Sequence, residues 1–172
     1  MNILYEIGSH GPIILIFLSW YLLWDNKNLL FYYTIGIFVN AILNLFLKGI
    51  IQEPRPMYDI EKIRLMKIHA KEYFYQKGIP FNIFGMPSGH VQSAFFSTIF
   101  IYLSLKQKNI LYIYFLLSLV TCYQRVNYDY HSISQVIVGS VVGSSFAYFI
   151  YYLAREKIKG KIREKPDDYG PI

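Results

Sequence analysis

The sequence predicts an all-α protein, a polytopic transmembrane helix bundle of about five spans with an interfacial amphipathic segment. The first observation is composition: 54% of the 172 residues are hydrophobic and 19% are aromatic, far above the usual share in a soluble protein of this length. The second is that the apolar residues form runs of span length, whereas a soluble core needs short runs broken by polar faces. No repeat or linker divides the sequence, so 1–172 is predicted to be a single membrane domain.

Five apolar stretches are the predicted spans. The stretch 29–47 has only Thr34, Asn40 and Asn44 as clearly polar side chains, and 133–153 carries no charge. Each of these two is long enough to cross a hydrocarbon core of about 30 Å, and the other three approach that length with their flanking residues. In chain order, the spans are expected near 12–24, 29–47, 88–105, 109–126 and 132–153.

The first span is expected to be retained rather than removed as a secretory signal. The N-terminus lacks a basic n-region, and Glu6 and His10 interrupt what would be the apolar core of such a signal. Cys122 is the only cysteine, so the chain can form neither an internal disulfide nor a multi-cysteine metal site. We expect this thiol to serve in packing.

The distribution of charge favours a membrane surface over nucleic acid as the partner. The net charge is +6, from 17 Lys and Arg against 11 Asp and Glu, and a dense basic cluster lies in the tail 154–172. Such a cluster after a span is typical of a cytoplasmic anchor beside anionic lipid. If the five spans alternate, the N-terminus, 48–87 and 124–131 lie on the opposite, non-cytoplasmic side. The sequence leaves the oligomeric state open.

Two further patterns concern packing. The segment 57–85 has apolar residues at helical spacing between charged ones, which predicts an amphipathic helix on the bilayer, with a solvated lid as the alternative. These residues are Ile60, Ile63, Met66, Ala70 and Tyr73. In the last span, Gly139 and Gly143 form a GxxxG pattern, which predicts close helix packing.

Three polar clusters stand at predicted membrane boundaries: 48–56, 87–90 and 125–135. Alternating spans deliver all three to the same side of the membrane. Together they hold three cations that suit the equatorial oxygens of a phosphoryl group in transfer. These cations are Lys48, Arg55 and Arg125.

The second cluster also supplies neutral hydrogen-bond donors. Ser88 and Gly89 precede a helix, so a hydroxyl and backbone N–H groups can bind the same oxyanion. His90 and His131 complete the set. Phosphoryl transfer needs one nucleophile and one proton donor, and histidine can be either.

The first two clusters resemble the type-2 phosphatidic acid phosphatase superfamily, which includes membrane and soluble phosphatases and vanadate haloperoxidases. The pattern of that family is KxxxxxxRP, then PSGH, then SRxxxxxHxxxD. Lys48, Arg55 and Pro56 match the first motif, and 87–90 match the second in full.

The third motif matches in part and points to one branch of the family. Arg125 and His131 have the correct spacing, but Gln124 replaces Ser and Gln135 replaces Asp. The dolichyldiphosphatase and glucose-6-phosphatase branches also carry glutamine at the last position. The strings IIQEPRP, FGMPSGH and YHSISQVIVG are most similar to the dolichyldiphosphatase branch.

The resemblance implies a role for each matching residue. His131 would attack phosphorus to form a phosphohistidine, His90 would protonate the leaving oxygen, and Gln135 would accept the imidazole N–H of His131. The residues expected to bind phosphate are Lys48, Arg55, Ser88, Gly89 and Arg125.

The expected activity is hydrolysis of a polyprenyl diphosphate on the non-cytoplasmic face, meaning the endoplasmic reticulum lumen or the periplasmic or outer face. No cofactor and no metal are expected, because Glu53, Asp59 and Asp129 are scattered rather than clustered. One alternative is another lipid phosphate, such as phosphatidate or a sphingoid phosphate, or a sugar phosphate. The alternative of another class is a catalytically inactive membrane scaffold.

Overall fold

The computed structural model describes residues 3–56 and 84–159, and these form an all-helical bundle, as the sequence predicted. The helices, in chain order, are α1 (Ile3–Leu22), α2 (Lys27–Ile51), α3 (Gly89–Leu105), α4 (Lys108–Asn127) and α5 (Ile133–Lys159).

Helix α1 begins well before the predicted start at residue 12, because packing on α4 stabilises its first turns. Gly8 and Gly11 are buried there, and a Cβ at either position would collide with Gln124 or Thr121. Hydrophobic periodicity does not reveal such close contact between the backbone of one helix and the side chains of another. The sequence prediction therefore missed the beginning of this helix.

Helix α3 is the central element, because it packs against all four other helices and most extensively against α5. An aromatic cluster forms the core on one side, where the rings of Tyr33 and Phe96 lie 5.9 Å apart and those of Tyr33 and Phe100 lie 5.4 Å apart. The Tyr33 hydroxyl is satisfied by a hydrogen bond with Ser97 at 2.8 Å. A buried aromatic with its polar end paired fixes the spacing of α2 and α3.

Among the described residues, three helices are long and apolar enough to cross a membrane: Ile3–Leu22, Lys27–Ile51 and Ile133–Glu156. Helix α3 has 17 residues, about 25 Å at the α-helical rise. Some of its polar side chains form hydrogen bonds inside the bundle: Thr98 Oγ1 lies 2.9 Å from Ser118 Oγ of α4. On the other helices, large apolar side chains such as Phe38 and Phe115 face outward, which is the arrangement expected in lipid.

The close packing predicted for the GxxxG pattern is confirmed. A Cβ on Gly139 would lie 2.8 Å from the carbonyl oxygen of Ser88, and one on Gly143 would collide with the carbonyl of Gln92. Glycine at these two positions lets α5 approach the first turns of α3. This contact places the start of α3 beside the start of α5.

The chain changes direction where α2 ends. Gln52 is in the left-handed conformation with φ 51° and ψ 31°, and its N–H caps the helix by donating to the carbonyl of Lys48. Pro54 then pairs with Phe84 in an isolated antiparallel bridge, and Gly85 N–H donates to the Glu53 carbonyl at 2.7 Å. Of the segment 57–85, predicted as an amphipathic helix, residues 57–83 lie outside the described residues, as does most of the basic tail.

Candidate active site

The three polar clusters of the sequence meet at one end of the bundle, around a cavity of about 490 Å³. The cavity lies between the end of α2, the start of α3 and the link from α4 to α5. Its lining residues are Ala41, Asn44, Leu45, Lys48, Arg55, Gly89, His90, Ser93 and His131. Both histidines therefore share one pocket with two cations, whereas Ser88, Arg125 and Gln135 are not lining residues.

Two of the predicted cations are buried without a counter-charge from the part of the chain that the structure describes. Lys48, in the last turn of α2, is 6% exposed, and Arg125, in the last turn of α4, is 8% exposed. Neither forms an ion pair with a described residue. Arg125 instead lies over the Tyr130 ring, 4.6 Å from its centroid. Because a buried unpaired charge is costly, this end of the bundle is complementary to an anion.

The start of α3 adds uncharged donors near these cations. Ser88 is fully buried at the N-cap, and its hydroxyl has no hydrogen-bond partner among the described residues. Gly89 is the first residue of the helix and lines the cavity. Free N–H groups at a helix N-terminus favour an anion.

His131 lies between α4 and α5 and is 2% exposed. Its backbone N–H donates to the Arg125 carbonyl at 3.0 Å, which fixes the residue against the end of α4. Burial lowers the pKa of His131 from 6.5 to about 3, with the positive charge of Arg55 as the next cause. The imidazole is therefore neutral at physiological pH and keeps one unprotonated nitrogen.

The partners of Gln135 determine which nitrogen of His131 carries the proton. The side-chain Nε2 of Gln135 donates to the Pro54 carbonyl at 2.7 Å, and its Oε1 accepts from the Ser132 N–H at 3.3 Å. A carbonyl can only accept and an N–H can only donate, so the amide has one consistent orientation. Its Oε1 lies 3.1 Å from His131 Nδ1. Nδ1 must then be the donor, and the lone pair belongs to Nε2.

Sequence reasoning missed an amide network that supports the PSGH motif. Asn44 Nδ2 donates to the Pro87 carbonyl at 3.1 Å and to Gln92 Oε1 at 2.8 Å, and Gln92 Nε2 donates to Asn40 Oδ1 at 2.9 Å. In the sequence, Asn40 and Asn44 stand out only as polar exceptions within a span. Their spacing with Lys48, four residues each, was the available signal, because it places all three on one face of α2.

Sequence reasoning also assigned no role to Glu53. Its side-chain Oε1 accepts a hydrogen bond from Gln135 Nε2 at 2.8 Å. The two residues are 82 positions apart, so no local pattern in the sequence could indicate the contact.

Fold and site together define the class of this protein: a helical membrane protein with a cationic pocket that contains two histidines at one end of its bundle. The chain belongs to the PAP2 superfamily, whose family model matches residues 28–159. That range includes every predicted site residue.

One curated relative is a dolichyldiphosphatase of Saccharomyces cerevisiae, which is 33% identical over 136 residues. The aligned region covers 70% of this chain and 51% of the relative, so the chain spans about half the length of the curated relative that it matches. Comparison with solved structures gave no significant match.

Proposed function

We propose that this protein is a membrane phosphatase that hydrolyses a polyprenyl, dolichyl-like diphosphate to the monophosphate through a phosphohistidine intermediate. The observation that carries the proposal is the pocket in which His90 and His131 meet Lys48 and Arg55. Fixed cations aimed at a developing oxyanion are the principal means of catalysing phosphoryl transfer. Membership of the PAP2 superfamily and similarity to a dolichyldiphosphatase support the same activity.

The first chemical step forms a bond between His131 Nε2 and the terminal phosphorus. The bond from that phosphorus to the bridging oxygen breaks, and protonated His90 gives its proton to the leaving lipid monophosphate. The negative charge of the bound diphosphate favours the protonated form of His90. In the second step water attacks the phosphohistidine, His90 takes a proton from the water, and inorganic phosphate leaves with the P–N bond broken.

The shape of the pocket supports a lipid as the substrate. Besides the polar groups, the cavity is lined by Ala41 and Leu45, which precede Lys48 on α2. Ala41 and Lys48 are seven positions apart on the helix, a rise of about 10 Å along the axis. A diphosphate at the cationic end would thus have its chain beside the lipid-facing surface of α2.

The proposed orientation puts the pocket on the non-cytoplasmic face and the C-terminal tail in the cytoplasm. Lys27, Lys106 and Lys108 stand at the helix ends away from the pocket, and the positive-inside rule assigns that end to the cytoplasm. The test uses single cysteines placed at residues 53 and 107 of a Cys122→Ser variant. An impermeant thiol reagent should label residue 53 from the non-cytoplasmic side and residue 107 from the cytoplasmic side. Labelling of residue 107 from the non-cytoplasmic side would contradict this orientation.

The substrate is tested by phosphate release from purified protein with a chelator present. The panel contains a long-chain isoprenoid diphosphate, phosphatidate, a sphingoid phosphate and a sugar phosphate, with His131→Ala as the control. We expect the isoprenoid diphosphate to be hydrolysed fastest, vanadate to inhibit, and His131→Ala to lose activity by at least ~10³-fold, in line with loss of a nucleophile. Turnover unchanged by His131→Ala, or turnover that requires added Mg²⁺, would refute the mechanism. A purified protein inactive on the whole panel would favour a membrane scaffold.

A further inference from the structure

The third motif of the family ends in a carboxylate that this chain lacks. The structure places another carboxylate, that of Glu53, one hydrogen bond further from His131. Glu53 Oε1 accepts from Gln135 Nε2 at 2.8 Å, and Gln135 Oε1 lies 3.1 Å from His131 Nδ1. Carboxylate, amide and imidazole therefore form one continuous line of hydrogen bonds. Glu53 follows the end of α2, whereas Gln135 and His131 belong to the start of α5 and the link before it.

The middle member of this line is held firmly. The Pro54 carbonyl and the Ser132 N–H fix the orientation of the Gln135 amide, and Gly85 packs directly on the amide group. A Cβ at Gly85 would lie 2.6 Å from Gln135 Nε2, so only glycine leaves room. Gly85 is in turn bonded to the Glu53 carbonyl through its N–H. The amide, its glycine neighbour and Glu53 thus form one interlocked unit.

Charge explains why a carboxylate at this distance matters. When Nε2 of His131 bonds to phosphorus, the imidazole ring becomes positive while Nδ1 keeps its proton. A neutral amide offsets this charge less than a carboxylate does. An anionic group that accepts from the amide polarises it, because hydrogen bonds in a chain strengthen one another at low local dielectric. The amide oxygen then becomes a stronger acceptor for Nδ1–H.

We propose that Glu53 is a positioning residue for phosphoryl transfer, which acts through the Gln135 amide to stabilise the positive charge that develops on His131. No proton moves along the line, since Nδ1 remains protonated in every step. This inference rests on the proposed function for its kinetic consequence, but its hydrogen-bond consequence does not depend on the substrate.

The kinetic test is Glu53→Gln, which keeps an acceptor oxygen of the same reach and removes the negative charge. We expect kcat to fall about 10–100-fold, the usual loss on changing a partner that orients a reacting group, with KM changed less than threefold. The matched control is Glu6→Gln on α1, which should leave both constants unchanged. A kcat within twofold of the wild type for Glu53→Gln would overturn the proposal.

A residue exchange separates this role from a merely structural one. In Gln135→Glu, a second carboxylate faces Glu53 at hydrogen-bond distance, so repulsion should reduce kcat by more than about 100-fold. In the double variant Glu53→Gln with Gln135→Glu, the carboxylate sits directly on His131, and the amide introduced at position 53 can donate to it. We expect the kcat of the double variant to be at least tenfold higher than that of Gln135→Glu. If the fold-reduction of kcat in the double variant equals the product of the reductions in the two single variants, the proposed coupling of Glu53 and Gln135 is overturned.

A measurement without substrate tests the same line. The Nδ1–H proton of His131 should resonate far downfield in ¹⁵N-histidine-labelled protein and move upfield in Glu53→Gln, because the hydrogen bond weakens. An unmoved resonance would refute the relay even in an active enzyme. If the wild type hydrolyses nothing on the substrate panel, the proposed function fails, and this shift alone decides whether Glu53 acts on His131.

Discussion

At the scale of single residues, His131 combines two conditions that a nucleophile needs. Gln135 holds the proton on Nδ1, and burial together with Arg55 keeps the ring from taking a second proton. In the proposed mechanism, the cations that would bind phosphate also keep the proposed nucleophile neutral until an anion arrives. A phosphate bound there would offset the charge of the cations, and a positive charge on the His131 ring would then be less unfavourable.

This argument predicts the pH dependence of His131. Its pKa in the folded protein is about 3, below the unfolded value, so between pH 6.5 and about 3 the unfolded chain binds the additional proton. Stability from this residue is consequently lost as the pH falls through that window. We expect the ring resonances of His131, followed by NMR without phosphate, to remain those of neutral imidazole from about pH 7.5 to about pH 5. A midpoint near 6.5, the ordinary value, would contradict the burial argument.

The sequence revealed these site residues unevenly, for a physical reason. Lys48, Arg55 and His90 were predicted because each belongs to a motif of fixed spacing, and the structure brings them into one pocket with His131. Glu53 stands within the first motif and was still missed, because its partner is distant in sequence. Spacing predicts which residues share an element, whereas contacts between elements depend on how the helices pack.

At the scale of elements, the same distinction holds. The apolar runs 29–47 and 132–153 fall on α2 and α5, which continue to Ile51 and Lys159. Run length did not indicate the start of α1, where glycines pack on α4. The pairing of α3 with α5 is set by Gly139 and Gly143, and this pairing positions the PSGH motif. The glycine pattern was visible in the sequence, but its partner was not.

We therefore predict that Gly143→Ala impairs both stability and catalysis. The added Cβ meets backbone atoms of Gln92, which cannot rotate away, so α5 must move from α3 at a cost of about 1–3 kcal/mol. Because Ser88 and His90 start the same helix, kcat should fall about tenfold, the factor that about 1.4 kcal/mol represents. Thermal unfolding in detergent and phosphate release measure the two effects.

The matched control for this helix contact is Gly49→Ala on α2. A Cβ there meets nothing within 4 Å, and alanine favours helix by about 0.5–1 kcal/mol over glycine. Gly49→Ala should unfold at the same or a higher temperature with kcat preserved. Equal losses in the two variants would show that the α3–α5 contact does not position the site.

At the scale of the whole molecule, the bundle reverses the usual arrangement of a soluble protein. Apolar side chains such as Phe38 and Phe46, each 64% exposed, face outward. Fully buried polar groups such as Asn40 and Gln92 pair inside. Polar pairing between helices supplies specificity where lipid offers no hydrophobic drive. The exception is the cationic end, where Lys48 has no counter-charge among the described residues.

The buried charge of Lys48 predicts a trade-off between stability and function. Lys48→Met keeps the length and apolar stem of the side chain and removes a buried charge, so the ligand-free protein should unfold at the same or a higher temperature. Inorganic phosphate at about 100 times its Kd should raise the unfolding temperature of the wild type by at least about 5 °C. It should raise the unfolding temperature of Lys48→Met much less, because one cation of the proposed phosphate site is gone. Lys108→Met, at the opposite end of the bundle, should respond as the wild type does. Strong destabilisation of Lys48→Met without ligand would contradict this prediction. It would show that the Lys48 ammonium group has a stabilising partner within the protein, so that its positive charge does not need a bound anion.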